Sequence, residues 1–125
     1  MLVDTDVLVW LFRGRETARA AVTGCVDVKL SAVTYMELVQ GVRNRDELRL
    51  LRRTIGTNAW QVVPLSENIG HRAILYVENH ALSHGMRLAD ALVAATAVEC
   101  GESLLTANLR HYRFLREISL EGYRP

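Results

Sequence analysis

Little in this chain points to an extracellular or membrane protein. Its 125 residues include only two cysteines, Cys25 and Cys100, and neither belongs to a Cys-x-x-Cys pair. A disulfide framework or a zinc site is therefore not expected. No run approaches the roughly 20 apolar residues that cross a bilayer, and the first residues lack the basic and apolar blocks of a signal peptide. The composition predicts a soluble protein of the cytoplasm.

Lysine is also scarce. Lys29 is the only lysine among fifteen basic residues, and all the others are arginines. Arginine binds phosphate through two parallel hydrogen bonds, which suits a nucleic-acid ligand, but a GC-rich genome would produce the same bias. The formal net charge of +1 favours neither a strongly basic nucleic-acid binder nor an acidic protein, so composition alone leaves the partner open.

The chain has no repeats, no low-complexity segment and no linker, and its two prolines are Pro64 and Pro125. Half of the residues are apolar, which is enough for a hydrophobic core in a chain of this length. We therefore expect residues 1–125 to form a single domain.

Short apolar runs alternate with helical patterns along the chain. The predicted strands are 2–3, 26–30, 60–63, 103–106 and 118–120, and the predicted helices are 7–12, 16–22, 31–42, 46–54, 66–84 and 88–100, with a helical turn at 112–115. This alternation predicts an α/β fold with a central, mainly parallel sheet of about four to five short strands, flanked by helices on both faces. In such a sheet the functional site lies beyond the carboxyl ends of the strands.

Oxygen-rich side chains stand at these strand ends and helix starts. Asp4 and Asp6 follow the first strand, Glu37 lies in the helix after the second, Asp90 opens an apolar helix and Asn108 follows the fourth strand. Carboxylates gathered at one edge repel each other, and Mg²⁺ relieves that repulsion because it prefers oxygen ligands. A bound Mg²⁺ can orient a phosphodiester and activate a water for attack.

Each of these residues also has a local explanation. Asp4 suits the N-cap of a helix, Thr34-x-x-Glu37 matches a capping box, Asp90 suits a helix N-terminus and Asn108 suits an Asx-turn. The set as a whole is harder to explain in this way, because Asp90 precedes a run of apolar residues in which an isolated carboxylate is costly.

Four segments resemble, in order, the motifs of PIN-domain proteins, and in particular those of the toxin subfamily called VapC. They are Asp4-Thr5-Asp6, Ser31-x-x-Thr34-x-x-Glu37-Leu38, Asp90-Ala91-Leu92-Val93-Ala94-Ala95 and Leu105-Thr106-Ala107-Asn108-Leu109-Arg110-His111-Tyr112. The order, the spacing and the total length all fit, and the resemblance covers essentially the whole chain.

The resemblance implies a PIN-like domain that is an endoribonuclease dependent on Mg²⁺, or on Mn²⁺, and that serves as the toxin of a type II toxin–antitoxin system. Asp4, Glu37 and Asp90 would be the catalytic acids. Asp4 and Asp90 would bind the metal directly, and Glu37 would act through water. Many PIN domains have a fourth acid where this chain has Asn108, so a second ion would bind weakly. Asn108 could still contact the metal through water, and Asp6 could supply part of the missing charge.

The resemblance also implies partners. We expect a homodimer, or a heterotetramer or larger assembly with a small VapB-like antitoxin whose tail covers the active site. The apolar segments 7–12 and 36–42 are the expected docking surfaces. The substrate would be RNA, and no membrane contact is expected.

Several further residues have a predicted supporting role. Arg13, Arg43, Arg87 and Arg110 lie close in sequence to the acidic motifs, where they would hold the RNA backbone or pair with nearby carboxylates. Thr5, Thr106 and His111 would support the site, although a structural role for His111 beside Tyr112 fits equally well.

Three other interpretations compete with this one. A phosphoacceptor receiver domain needs an aspartate at the end of the middle strand, where this chain has Val62-Val63-Pro64, and a lysine elsewhere than Lys29. His80 and His84 have the spacing of a transition-metal site, but solvent-facing histidines are the default. A catalytically weak PIN-like module that only binds RNA or an antitoxin stays open because of the altered fourth motif.

Overall fold

The fold alternates short strands with helices, as the computed structural model of all 125 residues shows. In chain order the elements are β1 (Leu2–Val3), α1 (Thr5–Phe12), α2 (Glu16–Thr23), β2 (Lys29–Ser31), α3 (Ala32–Gly41), α4 (Arg45–Thr57), β3 (Gln61–Val63), α5 (Glu67–His84), α6 (Leu88–Cys100), β4 (Leu104–Thr106), a 3₁₀ turn (Leu109–His111) and β5 (Leu120–Gly122). None of the helices combines the length and the apolar composition needed to cross a bilayer.

The five strands form one sheet in the order β3-β2-β1-β4-β5, and every neighbouring pair is parallel. The shortest strand, β1, is therefore the central one, with Leu2 opposite Leu104 on one side and Lys29 on the other. The predicted α/β architecture with a parallel sheet is confirmed. Because all strands run the same way, their carboxyl ends lie at one edge, and the residues that follow β1 and β4 become neighbours.

The sheet separates two hydrophobic cores. Successive strand residues point to opposite faces, so Leu2 packs with α5 and α6, while Val3 packs with α1, α2 and α4. Leu104 and Leu105 of β4 divide in the same way. The strands are covered by helices on both faces, which explains why they read as continuous apolar runs.

Two strands and one turn differ from their predicted positions. The segment predicted as strand 26–30 is paired only over Lys29–Ser31, because Asp27 has a left-handed φ of 50° that breaks the extended backbone before it. Near the C-terminus the last strand is Leu120–Gly122 rather than 118–120, since its register on β4 is set by Leu104 opposite Leu120. The helical turn falls at Leu109–His111 rather than 112–115.

Helix α6 places the predicted acid Asp90 in its first turn, and most of the buried residues of this helix are alanines. Ala91, Ala94, Ala95 and Ala97 are fully buried, so the backbone of α6 lies close to its neighbours. Interiors are packed to crystal-like density, and a helix held this closely has little room to shift.

Enlarging one of these alanines should loosen the fold. We expect Ala94→Leu to lower the free energy of unfolding by about 1–3 kcal/mol, because the added methylenes force neighbouring side chains off their rotamers. Ala20→Leu, at an exposed position of α2, is the matched control and should leave stability nearly unchanged. Urea unfolding measures both, and equal midpoints for the two variants would contradict the packing described for α6.

Candidate active site

Asp4 stands at the carboxyl end of β1 and is buried, with only 7% of its surface exposed. Its Oδ1 accepts a hydrogen bond of 2.8 Å from the backbone N–H of Thr5, so the predicted capping role in α1 is confirmed. Its Oδ2 accepts a second bond of 2.8 Å from Thr106 Oγ1, at the end of the neighbouring strand β4. The carboxylate that caps α1 is therefore the same one that faces the end of β4 at the candidate site.

A tyrosine hydroxyl connects Asp4 to Asp90. Tyr112 OH lies 2.9 Å from Asp4 Oδ2 and 3.3 Å from Asp90 Oδ1. The other oxygen of Asp90 lies 3.4 Å from His111 Nδ1. Two acids that are far apart in the sequence, one at the end of β1 and one in the first turn of α6, thus meet at one hydroxyl.

Glu37 reaches the same edge through a threonine. Thr5 Oγ1, one residue beyond Asp4, donates a bond of 2.6 Å to Glu37 Oε1 and lies 3.0 Å from Thr34 Oγ1. The capping box considered for Thr34 and Glu37 is wrong: the N-cap of α3 is Ser31, whose Oγ accepts from Val33 N, and Thr34 is buried inside the helix.

Asp6 and Asn108 form a separate clamp between α1 and the end of β4. Asn108 Nδ2 donates to Asp6 Oδ2 over 2.7 Å, and the backbone N–H of Ala107 donates to the same oxygen over 3.1 Å. Asn108 makes no side-chain cap of its own turn, so the Asx-turn alternative is wrong. Its amide nitrogen donates one hydrogen to Asp6, and its carbonyl oxygen stays available to another partner.

Burial makes this edge electrostatically costly. Burial, and then the nearby Asp6 carboxylate, raise the pKa of Asp4 from 3.8 to about 7, against the opposing effect of its three hydrogen-bond donors. Burial also raises the pKa of Asp6. The pKa of Tyr112 is raised by burial and then by Asp4 and Asp90, so its phenol remains a protonated donor. Around neutral pH, burial therefore opposes full ionisation of Asp4 and Asp6 unless a cation compensates their charge.

The donor set fits a hydrated divalent cation better than an enclosed one. No three carboxylate, histidine or cysteine side chains converge tightly enough to form a metal cluster. Instead the acids form two hydroxyl-linked units, Asp4 with Asp90 and Glu37 with Thr5. Mg²⁺ keeps several of its waters and takes one or two carboxylates, which matches an all-oxygen pair such as Asp4 and Asp90.

None of the four predicted arginines contacts the acids of the candidate site. Arg43 is paired with Glu47, with Nη2 and Oε2 2.7 Å apart, which is the local ion-pair alternative. Arg13 has its guanidinium carbon 5.7 Å from the centre of the Trp10 ring. Arg87 is the N-cap residue of α6 and Arg110 lies in the 3₁₀ turn; both are exposed beside the elements that carry Asp90 and His111.

His80 and His84 both pack against Phe114, and His84 is also exposed to solvent. The ring of His84 stacks on Phe114 with centroids 4.2 Å apart, and the centroid of His80 lies 4.9 Å from the same ring. Both histidines therefore have a packing role, and a metal-binding role for the pair gains no support from the structure.

Sequence reasoning missed Tyr112 as a site residue. It was noted only as a neighbour of His111, yet it is fully buried and contacts both Asp4 and Asp90. A usable signal was present, because a buried tyrosine needs a partner for its hydroxyl and carboxylates were already expected at this edge.

The raised pKa of Asp4 predicts a pH-dependent stability of the metal-free protein. The folded state holds the Asp4 proton more tightly than the unfolded chain, so this stabilisation is present below pH 3.8 and is lost as the pH rises through about 7. Asp4→Asn should melt at a higher temperature than wild type at pH 8 in EDTA, and the difference should shrink towards pH 5. The control is Asp46→Asn, at an exposed surface position. A wild-type-minus-variant difference that is constant from pH 5 to 8 would refute the assignment.

Known proteins resemble this chain over most of its length. A family model described as the PIN domain matches residues 1–116. Ribonuclease VapC19 of Mycobacterium tuberculosis is 30% identical over 116 residues, which cover 89% of this chain and 90% of the relative.

Solved structures agree in fold. A toxin–antitoxin complex from Klebsiella pneumoniae has a TM-score of 0.80 and 24% identity, with 94% of this chain and 93% of that chain covered. A DNA-bound VapBC from Salmonella typhimurium has a TM-score of 0.82 and 18% identity, with coverage of 98% and 97%. FitAcB of Neisseria gonorrhoeae has a TM-score of 0.74, 23% identity and coverage of 97% and 96%. The model match and the curated relative show that the chain belongs to the PIN-domain family.

Proposed function

We propose that this protein is a divalent-metal-dependent endoribonuclease that acts as the toxin of a toxin–antitoxin pair. The observation that carries the proposal is the meeting of Asp4 and Asp90 at the hydroxyl of Tyr112, on the carboxyl edge of the sheet. PIN-domain ribonucleases are in general dependent on divalent metals, and a curated relative that covers most of the chain is named a ribonuclease.

The chain's own residues divide the work of phosphodiester hydrolysis. A bound Mg²⁺, or Mn²⁺, would supply a Lewis acid for the phosphate and a more acidic water. Asp4 and Asp90 are the residues that would hold it. Glu37, which accepts a hydrogen bond from the Thr5 hydroxyl, would orient the attacking water and accept its proton. Asp6 and Asn108 keep the start of α1 attached to β4, so that Asp4 stays in position.

The RNA backbone would be held by exposed arginines. Arg87 and Arg110 flank the Asp90 side of the site and have no carboxylate partner, so their guanidinium groups are free to bind phosphates. Arg13 lies at the far end of α1. Arg43 is engaged with Glu47 and is the weakest of the four candidates.

An antitoxin is the second proposed partner, and a groove leads to the site. A cavity of about 560 Å³ lies between α1, α3 and α4, with Glu37 among its lining residues and with apolar walls that include Val9, Leu38 and Val42. It runs between the two segments expected to dock an antitoxin. An extended tail with apolar side chains and a terminal arginine would fill the groove and reach the acids. The solved neighbours from Klebsiella pneumoniae and Salmonella typhimurium are themselves toxin–antitoxin assemblies.

Assembly and location follow the same proposal. A homodimer, or a heterotetramer or larger complex with the antitoxin, is the proposed working form. Cys25 and Cys100 are both unpaired, which fits the reducing cytoplasm in which such a toxin would meet its RNA.

Cleavage of RNA by the purified, antitoxin-free protein tests the activity. Asp4→Asn and Asp90→Asn should each reduce the rate about 100-fold or more, because even indirect partners of a metal ligand contribute 10–100-fold. Asp46→Asn, which also removes one carboxylate but on exposed α4, should cleave like wild type. EDTA should abolish cleavage, and Mg²⁺ or Mn²⁺ should restore it. A folded wild type that cuts no RNA in either metal would favour the binding-module alternative.

The groove can be tested by filling it. Val42→Arg places a long charged side chain on its apolar wall and should prevent co-purification with the product of the neighbouring upstream reading frame, while RNA cleavage persists. Leu82→Arg, on the exposed surface of α5, is the control and should keep the partner. Retention of the partner by Val42→Arg would place antitoxin docking elsewhere on the protein.

A further inference from the structure

Tyr112 is held in place by the hydrophobic core. Its side chain is fully buried, and its ring packs in the core cluster that contains Leu2, Ala91 and Leu104. A ring enclosed on all sides cannot change rotamer without displacing its neighbours. The position of the phenol oxygen is therefore fixed by the core and not by the carboxylates that it contacts.

The segment that carries Tyr112 is anchored from both sides. Before it, the backbone N–H of Tyr112 donates to Leu109 O over 3.0 Å and closes the 3₁₀ turn. After it, Glu117 accepts from Arg72 Nη1 over 3.1 Å and from the hydroxyl of Tyr76, both on α5. These contacts attach the segment to α5 without involving the acids, so the tyrosine has an independent support.

One hydroxyl serves two acceptors. Tyr112 OH lies 2.9 Å from Asp4 Oδ2 and 3.3 Å from Asp90 Oδ1, and a phenol has only one proton to donate. Asp4 has other donors, Thr5 and Thr106, but Tyr112 is the only side chain that contacts both acids. Without it, no side chain would join these two carboxylates directly, and like charges repel each other.

We propose that Tyr112 is a positioning residue that fixes the spacing and orientation of Asp4 and Asp90 for a divalent cation. The inference rests on the proposed function and deepens it. Asp4 and Asp90 would bind the ion, and Tyr112, which would not bind it, would determine whether the two carboxylates are positioned to do so. Partners that orient metal ligands from outside contribute 10–100-fold to metal affinity, and this sets the size of the expected effect.

The test removes one oxygen atom. Tyr112→Phe keeps the ring and loses the hydroxyl, and the control is Tyr123→Phe, another buried tyrosine whose hydroxyl bonds only to Thr17 Oγ1, 2.9 Å away. Titration calorimetry with Mn²⁺ should give a Kd about 10-fold or more higher for Tyr112→Phe, and an unchanged Kd for Tyr123→Phe. The rise in melting temperature caused by Mn²⁺ should be smaller for Tyr112→Phe than for wild type.

Two results would overturn the inference. An unchanged Kd with a lower melting temperature would mean that Tyr112 only stabilises the core. A lower Kd would mean that the hydroxyl competes with the cation for the carboxylates. If either result is obtained while wild type still cuts RNA in a metal-dependent way, the inference about Tyr112 fails and the proposed function stands. A wild type that neither binds Mn²⁺ nor cuts RNA ends both the inference and the proposed function.

A second measurement does not depend on the variant folding. In wild type labelled with 3-fluorotyrosine, Mg²⁺ should shift the ¹⁹F signal of Tyr112, with a midpoint equal to the Kd for Mg²⁺, because the hydroxyl stays in contact with both ligands. The signal of Tyr123, whose hydroxyl bonds to Thr17 and to neither acid, should not move. Absence of any shift at Tyr112 in saturating Mg²⁺ would contradict a role next to the bound ion.

Discussion

The pairing of two very short strands controls the rest of this structure. Because β1 and β4 are parallel neighbours, the residue after β1 and the last residue of β4 lie side by side, and Asp4 is buried against Thr106. Burial raises the pKa of that carboxyl, and the fold must surround it with donors because an unpaired buried charge is costly. The hydrogen bonds from Thr5, Thr106 and Tyr112 follow from this one constraint.

Asp6, on the one hand, and Asp4 with Asp90, on the other, illustrate different uses of the same residue type. Asp6 accepts hydrogen bonds from Val7, Ala107 and Asn108, so its carboxylate attaches α1 to the end of β4. Asp4 and Asp90 share one donor, the Tyr112 hydroxyl, and the remaining lone pairs of their carboxylate oxygens could bind water or a cation. An enzyme site that retains costly charge in this way exchanges stability for chemistry, and the neighbouring structural clamp limits how far the costly part can relax.

Local sequence signals predicted much of the fold, but they did not predict the contacts between distant segments. The predicted helix ends at residues 84 and 100 are confirmed, and the residues that follow, Gly85 and Gly101, adopt the left-handed conformation for which glycine is suited. The strand before α3 was drawn too early because nothing in the local pattern indicated the positive φ of Asp27. Thr34 was read as a cap because the capping box is a local pattern, whereas its real partner is Thr5 of another helix. The role of Tyr112 depends on three elements meeting, which periodicity along one segment does not describe.

The sheet divides the domain into two layers, and the acids come from both. Asp4 and, through Thr5, Glu37 depend on α1 and α3, while Asp90 depends on α6 across the sheet, and the link between the layers is Tyr112. A chain in which only one layer has docked would carry carboxylates but no assembled site. Disruption of the packing of either layer would therefore separate the acids even in a chain that keeps every carboxylate.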